Sequence, residues 1–186
     1  VPTTCSSPSG PPRWGSDGRL YGVTLDGGQF RAGGAGTSHG YGGTLFSYGT
    51  NGSGLQVLHH FGANATAPNY PYGRVWEGTD GNLYGTTSLG GTADTGTLYR
   101  IGKDGSGFTV LHEFVGAQAG PQAGVLERGD GSLVGATYGN FGALFQVNKD
   151  GSGFTVLHSF GSVEGDGLYP KGEVADLATY HLAGAL

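Results

Sequence analysis

Residues 80–87 read Asp80-Gly-Asn-Leu-Tyr-Gly-Thr-Thr87, and residues 104–114 read Asp104-Gly-Ser-Gly-Phe-Thr-Val-Leu-His-Glu-Phe114. Both stretches recur: Asp150 to Phe160 repeats the second almost letter for letter, and Asp17 to Thr24 is a looser copy of the first. Self-similarity at a period of roughly 50 residues is typical of propellers and repeat arrays. The repeat therefore decides the fold, and residues that recur with it are expected to be structural.

Each repeat contains two hairpin signals. Asp80-Gly81 lies between apolar stretches, as in a tight two-residue turn, and Asp104 to Gly107 forms a longer turn whose glycines can adopt positive φ. After that turn, the strand period of two predicts one face with Phe108, Val110, His112 and Phe114 and the other with Thr109, Leu111 and Glu113. Two hairpins make four antiparallel strands, the content of one propeller blade.

We predict an all-β, β-propeller-type repeat with three four-stranded blades and a half blade. The repeats fall at about 11–62, 71–116 and 121–161, the half repeat at 170–186, and all belong to one domain after a flexible leader at 1–10. Both ends offer the same half of a blade, so they cannot complete one another. Either the chain is a piece of a longer array, or a second protomer completes the ring.

Composition excludes several classes of function. The chain has 186 residues, only 9 of them Lys or Arg, and a net charge of −5, so we expect no nucleic-acid partner. No apolar run approaches the roughly 20 residues of a membrane-spanning helix. Cys5 is the only cysteine, and no internal disulfide is predicted. The chain starts at Val1 without any Met, which a removed signal peptide or an excised fragment would explain.

These motifs resemble the bacterial tandem-repeat family called GloVer, on the Asp-Gly-x-Leu-Tyr-Gly-Thr-Thr segment, Gly96-Thr-Leu-Tyr99 and Asp104 to Phe114. The resemblance covers about Trp14 to Gly184. It implies propeller-like blades in a secreted or surface-displayed protein and brings no catalytic signature. The chain departs from the pattern at Val134, Ala143 and Thr50-Asn51.

Three of the six histidines, His59, His112 and His158, occupy the same repeat position. If their strands lined a channel, they could form a ring that binds a transition metal. The other interpretation is that each imidazole fixes its blade by bonding a backbone carbonyl or an aspartate. We favour the structural interpretation and predict no cofactor.

Positions where the copies differ are better candidates for binding, because the scaffold does not require them. The longest connection, between Leu20 and Leu45, is glycine-rich and carries Arg31, His39 and Tyr41. Tyrosines also lie beside prolines between repeats, at Tyr70, Tyr72 and Tyr169. Aromatic rings with polar neighbours suit the apolar faces of sugars, although tyrosines here could simply cover blade joints.

The sequence therefore predicts an extracellular or cell-surface binding protein without catalytic activity, with a glycan as the expected ligand. The alternative is a self-assembling structural component of a fibre or surface layer. A third hypothesis is a glycan-active or metal-dependent enzyme, whose carboxylates could come from outside the repeat. Those candidates are Asp26, Asp94, Glu127, Glu164 and Asp166.

Overall fold

A computed structural model describes residues 5–30, 42–50 and 54–170. In these residues the chain forms twelve β-strands and two short 3-10 segments, and it contains no α-helix. The strands make three four-stranded antiparallel sheets, each with its strands in chain order. Within the described residues, no helix is long and apolar enough to cross a membrane.

The bounds of the strands follow the sequence repeat. The first sheet contains β1 (Cys5–Trp14), β2 (Arg19–Gly27), β3 (Thr44–Gly49) and β4 (Gly54–His60). The second contains β5 (Asn69–Glu77), β6 (Leu83–Leu89), β7 (Thr97–Ile101) and β8 (Thr109–Glu113). The third contains β9 (Leu126–Glu127), β10 (Leu133–Thr137), β11 (Ala143–Val147) and β12 (Thr155–Ser159). The prediction of four strands per repeat is thus confirmed.

The aspartates before glycine close the turns, as their isolation in the sequence suggests. Asp130 accepts hydrogen bonds from the N–H and hydroxyl of Ser132, and Asp104 accepts the same pair from Ser106. In the β1–β2 and β5–β6 turns the aspartate also accepts a tyrosine hydroxyl, from Tyr21 to Asp17 and from Tyr84 to Asp80, each at 2.7 Å. These carboxylates are therefore committed to turn geometry.

The glycine of each Leu-Tyr-Gly or Leu-Val-Gly segment makes room for an aromatic ring. A Cβ on Gly22 would overlap Phe46, one on Gly85 would overlap Tyr99, and one on Gly135 would overlap Phe145. Each ring comes from the paired strand, directly opposite its glycine. Because these glycines lack side chains, the rings can lie flat on the neighbouring strand.

The hydrophobic core lies between sheets. One buried cluster joins first-sheet residues such as Tyr21, Leu45 and Phe61 to second-sheet residues that include Tyr99 and Ile101. A second cluster joins the second sheet to the third; it contains Tyr84, Leu98, Phe114, Leu133, Phe145 and Val147. The second sheet thus contributes one face to the joint with the first sheet and the other face to the joint with the third.

The predicted flexible leader is wrong for residues 5–10, which belong to β1. Pro8 pairs with Thr24 as Pro71 pairs with Thr87 and Pro121 with Thr137. The segment is ordered because its backbone continues the ladder of β2 as far as the Cys5–Gly27 pair. The first repeat therefore begins before residue 11, and its first strand is complete.

Most of the predicted half repeat, residues 171–186, lies outside the described residues. Its first residue, Pro170, does not. The ring of Pro170 occupies the space where a Cβ on Gly142 would stand, as Pro71 does at Gly43 and Pro121 at Gly96. The chain therefore leaves the third sheet by the same route that leads from each earlier sheet to the next.

Candidate functional site

A cleft of about 570 Å³ opens between the first and second sheets, at the end where the β1–β2 and β5–β6 turns lie. Both tryptophans of the chain line it. Its polar side chains belong to Arg13, Ser16, Glu77 and Thr79. The described part of the chain thus gathers indole, guanidinium, hydroxyl and carboxylate groups around one opening.

The two indoles differ in how far they are exposed. Trp14 is 57% exposed and offers an open aromatic surface. Trp76 is partly buried under the guanidinium of Arg13, whose Cζ lies 3.7 Å from the ring centroid, in cation–π contact. The Nε1–H of Trp76 is buried and has no hydrogen-bond partner within the described ranges. Trp14 is therefore the side chain with most surface to offer a ligand.

Glu77 forms the polar wall of the cleft and ties the two sheets together. It accepts hydrogen bonds from the backbone N–H of Ser16 at 2.7 Å and from the hydroxyl of Ser16 at 2.6 Å. Lys103 donates to the same carboxylate at 2.6 Å. Burial alone would raise the pKa of Glu77, but the bonds from Lys103 and Ser16 outweigh burial and lower this pKa. Glu77 is thus a bound carboxylate that fixes the wall.

The same arrangement recurs at the next joint, where Glu127 accepts bonds from the N–H and hydroxyl of Thr79 and from Lys149. Burial again opposes the shift, and the bonds from Lys149 and Thr79 lower the pKa of Glu127. Glu127 was one of the carboxylates considered for catalysis. Its contacts instead give it a structural role between the second and third sheets.

The other candidate carboxylates lie apart from the cleft. Asp26 accepts the N–H of Gly27, and Asp94 accepts the N–H of Gly90. Asp166 pairs with His158 at 2.8 Å, while Glu164 is exposed in the following segment. These side chains close turns or meet their neighbours in sequence, and they do not form a paired-carboxylate centre with one another.

The predicted binding residues fall into two groups. Arg31, His39 and Tyr41 lie outside the described residues. Tyr70 and Tyr169 precede prolines at two joints, with φ of 54° and 56°, and their N–H groups donate to the carbonyls of Gly42 and Phe141. Tyr72 lies in β5, and its carbonyl accepts the hydroxyl of Thr86. The structure places these tyrosines at joints between repeats, away from the tryptophan-lined cleft.

Two of the three recurring histidines stack on the sheet that follows them, and the third, His158, bonds Asp166. The His59 ring lies parallel to Phe108 with centroids 3.9 Å apart, and His112 lies on Phe154 at 3.8 Å. Burial lowers the pKa of His59 to about 4, and the nearby charge of His60 adds to that shift. Within the described ranges, no three His, Cys, Asp or Glu side chains are grouped to hold a metal ion. The imidazoles of His59 and His112 act as aromatic spacers between sheets.

Sequence reasoning missed the cleft, although the repeat contained a signal for it. Aligned on Pro8, Pro71 and Pro121, Trp14 occupies the position of Glu77 and Glu127. Arg13 likewise stands where the other repeats have Trp76 and Leu126. These departures from the repeat would have marked the first joint, had the first strand been recognised at Pro8.

Comparison with known proteins identifies the family to which the repeat belongs. The model of the Gloeobacter/Verrucomicrobia repeat family matches residues 2–185. The chain belongs to this family. The predicted resemblance is thus confirmed, and the three sheets are the form that the Gloeobacter/Verrucomicrobia repeat takes here. A search of curated proteins finds no match.

Among solved structures, this repeat protein is similar to a chain in "Crystal structure of Nidogen/Laminin Complex", with a TM-score of 0.60 and 12% sequence identity. The match covers 93% of this chain and 53% of that one. The chain therefore spans about half the length of that solved chain. At this identity the likeness concerns the fold alone.

Proposed function

We propose that this protein is a non-catalytic extracellular binding protein on a β-propeller-type scaffold, and that the cleft between its first two sheets binds carbohydrate. Three successive four-stranded antiparallel sheets with their cores in the joints support the scaffold, since this is how propeller blades are built and packed. The resemblance to a repeat family found in secreted and surface-displayed proteins supports the extracellular location.

The observation that carries the binding proposal is Trp14. An indole that is 57% exposed, beside a guanidinium and two hydroxyl-bearing residues, offers an apolar platform with hydrogen-bonding groups at its rim. A pyranose ring has the matching character, with apolar C–H faces and hydroxyls at its edge. The cleft, at about 570 Å³, lies in the size range of ordinary small-molecule sites.

The two tryptophans make the test direct. Because both line the cleft, intrinsic tryptophan fluorescence reports on this cleft alone. We would titrate the protein with oligosaccharides derived from cellulose, xylan, chitin and pectin. We expect one class to shift or quench the emission saturably, and we expect Trp14→Ala to weaken that ligand at least about tenfold, a loss of about 1.4 kcal/mol.

Phe141→Ala is the matched control, since Phe141 is an aromatic residue, 46% exposed, that does not line the cleft. Isothermal titration calorimetry should give the same affinity for this variant and the parent chain. If no oligosaccharide changes the emission, or if Trp14→Ala binds as tightly as the parent, the proposed site is wrong.

The alternative function, a self-assembling extracellular component, also has a specific observation in its favour. The first and third sheets each leave uncovered the face that inner joints bury. Leu55 of the first sheet is 54% exposed, and Leu157 of the third is 53% exposed.

A further inference from the structure

One face of the first sheet is partly exposed, although the equivalent face is buried in the second sheet and in the third. In the second sheet this face consists of Leu83, Tyr99 and Ile101, each at most 1% exposed, and it packs on the first sheet. Phe108 of the second sheet also packs into this joint, and we call a residue at its position a wedge residue. The equivalents of these four residues in the first sheet define what we call the leading face. Its residues are Leu20, Phe46, Tyr48 and Leu55.

The leading face is uncovered. Leu20 and Phe46 are half-buried, Tyr48 is 44% exposed, and Leu55 is 54% exposed. In the sequence, Leu55 follows the Gly-Ser-Gly of the first repeat, as Phe108 and Phe154 follow that of the later repeats. Since those two phenylalanines insert into the joint before them, Leu55 is a wedge of the same kind without a joint.

The third sheet has the opposite face, which we call the trailing face: Val134, Leu157, His158 and Phe160. Val134 is buried at 8% exposure, and the other three side chains are exposed or half-buried. Phe160 is half-buried, whereas its counterparts Phe61 and Phe114 are at most 1% exposed. Leu157 is 53% exposed, whereas its counterparts Leu58 and Leu111 pack into the joints. Leu157 and Phe160, whose counterparts pack in the inner joints, are thus partly open to solvent here.

The two faces fit each other in chemistry. At the inner joints a wedge phenylalanine stacks on the histidine of the preceding sheet, at 3.9 Å and 3.8 Å. On the trailing face, the ring of His158 contacts Phe160 of its own sheet, with centroids 5.0 Å apart. Its bond to Asp166 runs through the ring nitrogen Nε2, in the ring plane, so the ring face stays available to a residue in the position of Leu55.

The two faces also fit each other in size at one position. Tyr48 stands where the later sheets have Ile101 and Val147, so the leading face carries a larger side chain there, while Leu55 is smaller than its counterparts Phe108 and Phe154. Val134 stands where the earlier sheets have Tyr21 and Tyr84, so the trailing face is correspondingly smaller. Tyr21 and Ile101 belong to one core cluster, which means that these two exchanges would meet in the same joint. A larger side chain would thus face a smaller one.

We propose that the leading face of one copy of this chain docks on the trailing face of a second copy, which repeats the inner joint between molecules. The inference rests on the propeller-type arrangement proposed above and not on the carbohydrate site. The described residues of two copies hold six sheets, and propellers have four to eight blades.

Such an interface is heterologous, since different faces of the two copies meet, and it can close into a ring. This property allows a mixing experiment. Leu55→Asp places a charge on the leading face only, and Leu157→Asp places one on the trailing face only. Both side chains are more than half exposed, so neither change should unfold the chain.

We would measure mass by light scattering over about 1 to 500 μM. We expect the parent chain to associate, each variant alone to stay monomeric, and an equal mixture of the two variants to form dimers. In the mixture, one intact leading face and one intact trailing face remain, enough for one joint. Val115→Asp, at an apolar residue 52% exposed on neither face, is the control and should associate like the parent.

Two outcomes overturn the proposal. The first is a parent chain that is monomeric throughout, whether residues 171–186 of the same chain cover the trailing face or nothing does. The second is association that persists in both variants, or a mixture that stays monomeric, because the contact then uses another surface. Tryptophan fluorescence with oligosaccharide separates this failure from failure of the carbohydrate site, since neither Leu55 nor Leu157 lines the cleft.

Discussion

Removing one buried hydroxyl should make this protein more stable. Tyr99 is fully buried between the first and second sheets, in contact with Phe61 and Phe108. Its hydroxyl has no hydrogen-bond partner within the described ranges, and it lies over Gly85. The equivalent residues of the other repeats are Phe46 and Phe145, so the repeat accepts phenylalanine at this position.

The expected size of the effect follows from the cost of burying an unpaired polar group, about 1–3 kcal/mol. Tyr99→Phe removes this cost and loses a few dispersion contacts of one oxygen atom. We therefore expect the free energy of unfolding to rise by about 1 kcal/mol, which is about 2–4 °C in Tm for a chain of this size. Burial raises the pKa of Tyr99, so the phenol stays neutral and the gain should not depend on pH below about 10.

Tyr84→Phe is the matched control, because its hydroxyl is bonded. Tyr84 is also fully buried, but it donates to Asp80 at 2.7 Å. Loss of a hydrogen bond to a charged group should lower the free energy of unfolding by about 1.5–3 kcal/mol. Urea unfolding followed by circular dichroism measures both variants, with a shared m-value as the check on two-state behaviour. If Tyr99→Phe is less stable than the parent, the hydroxyl has a partner that the reasoning overlooks.

Two further predictions concern the repeat motifs. Gly85→Ala should cost about 1–3 kcal/mol, because the new Cβ would overlap the Tyr99 ring, while Gly129→Ala, with open space around it, should change stability by less than about 0.5 kcal/mol in the same urea assay. Equal costs would contradict the steric argument. Neutral His59 stabilises the fold fully above pH 6.5, and this stabilisation should disappear as the pH falls toward about 4, since the unfolded chain takes up the proton first. His59→Phe should flatten that slope in unfolding measured across this range; an unchanged slope would assign it to other groups.

The four strands of each repeat could be predicted from the sequence because the same turn motifs recur in several copies. Asp80-Gly81 and the turn from Asp104 to Gly107 fix where strands end. The alternation in Phe108 to Phe114 predicts one shared face, and this is wrong, because a register shift in the β7–β8 pair separates Phe108, at the joint with the first sheet, from Phe114, at the joint with the third. The first strand was harder to recognise. Its Pro8-Ser-Gly10 lacks the aromatic and charged residues of the later copies, so only its pairing with β2 reveals that it belongs to the sheet.

The candidate site was less predictable, for a physical reason. Trp14 and Trp76 are 62 positions apart in the sequence, and only the packing of one sheet on the next brings them to the same cleft. The roles of the histidines were hidden in the same way, since the partner of His59 is Phe108 of the following repeat. Local patterns predict the strands, whereas contacts between repeats depend on how the sheets are stacked.

Because each apolar cluster lies between two sheets, one complete hydrophobic core requires two neighbouring repeats, and the folding unit does not coincide with a single sequence repeat. A single repeat excised from the chain would carry two half-cores and no whole one. In such arrays stability is carried by neighbouring pairs, and the terminal units are the least protected. Amide hydrogen exchange should therefore be slowest in the second sheet, whose two faces are both covered, and should quicken toward either end as the outer sheets fray.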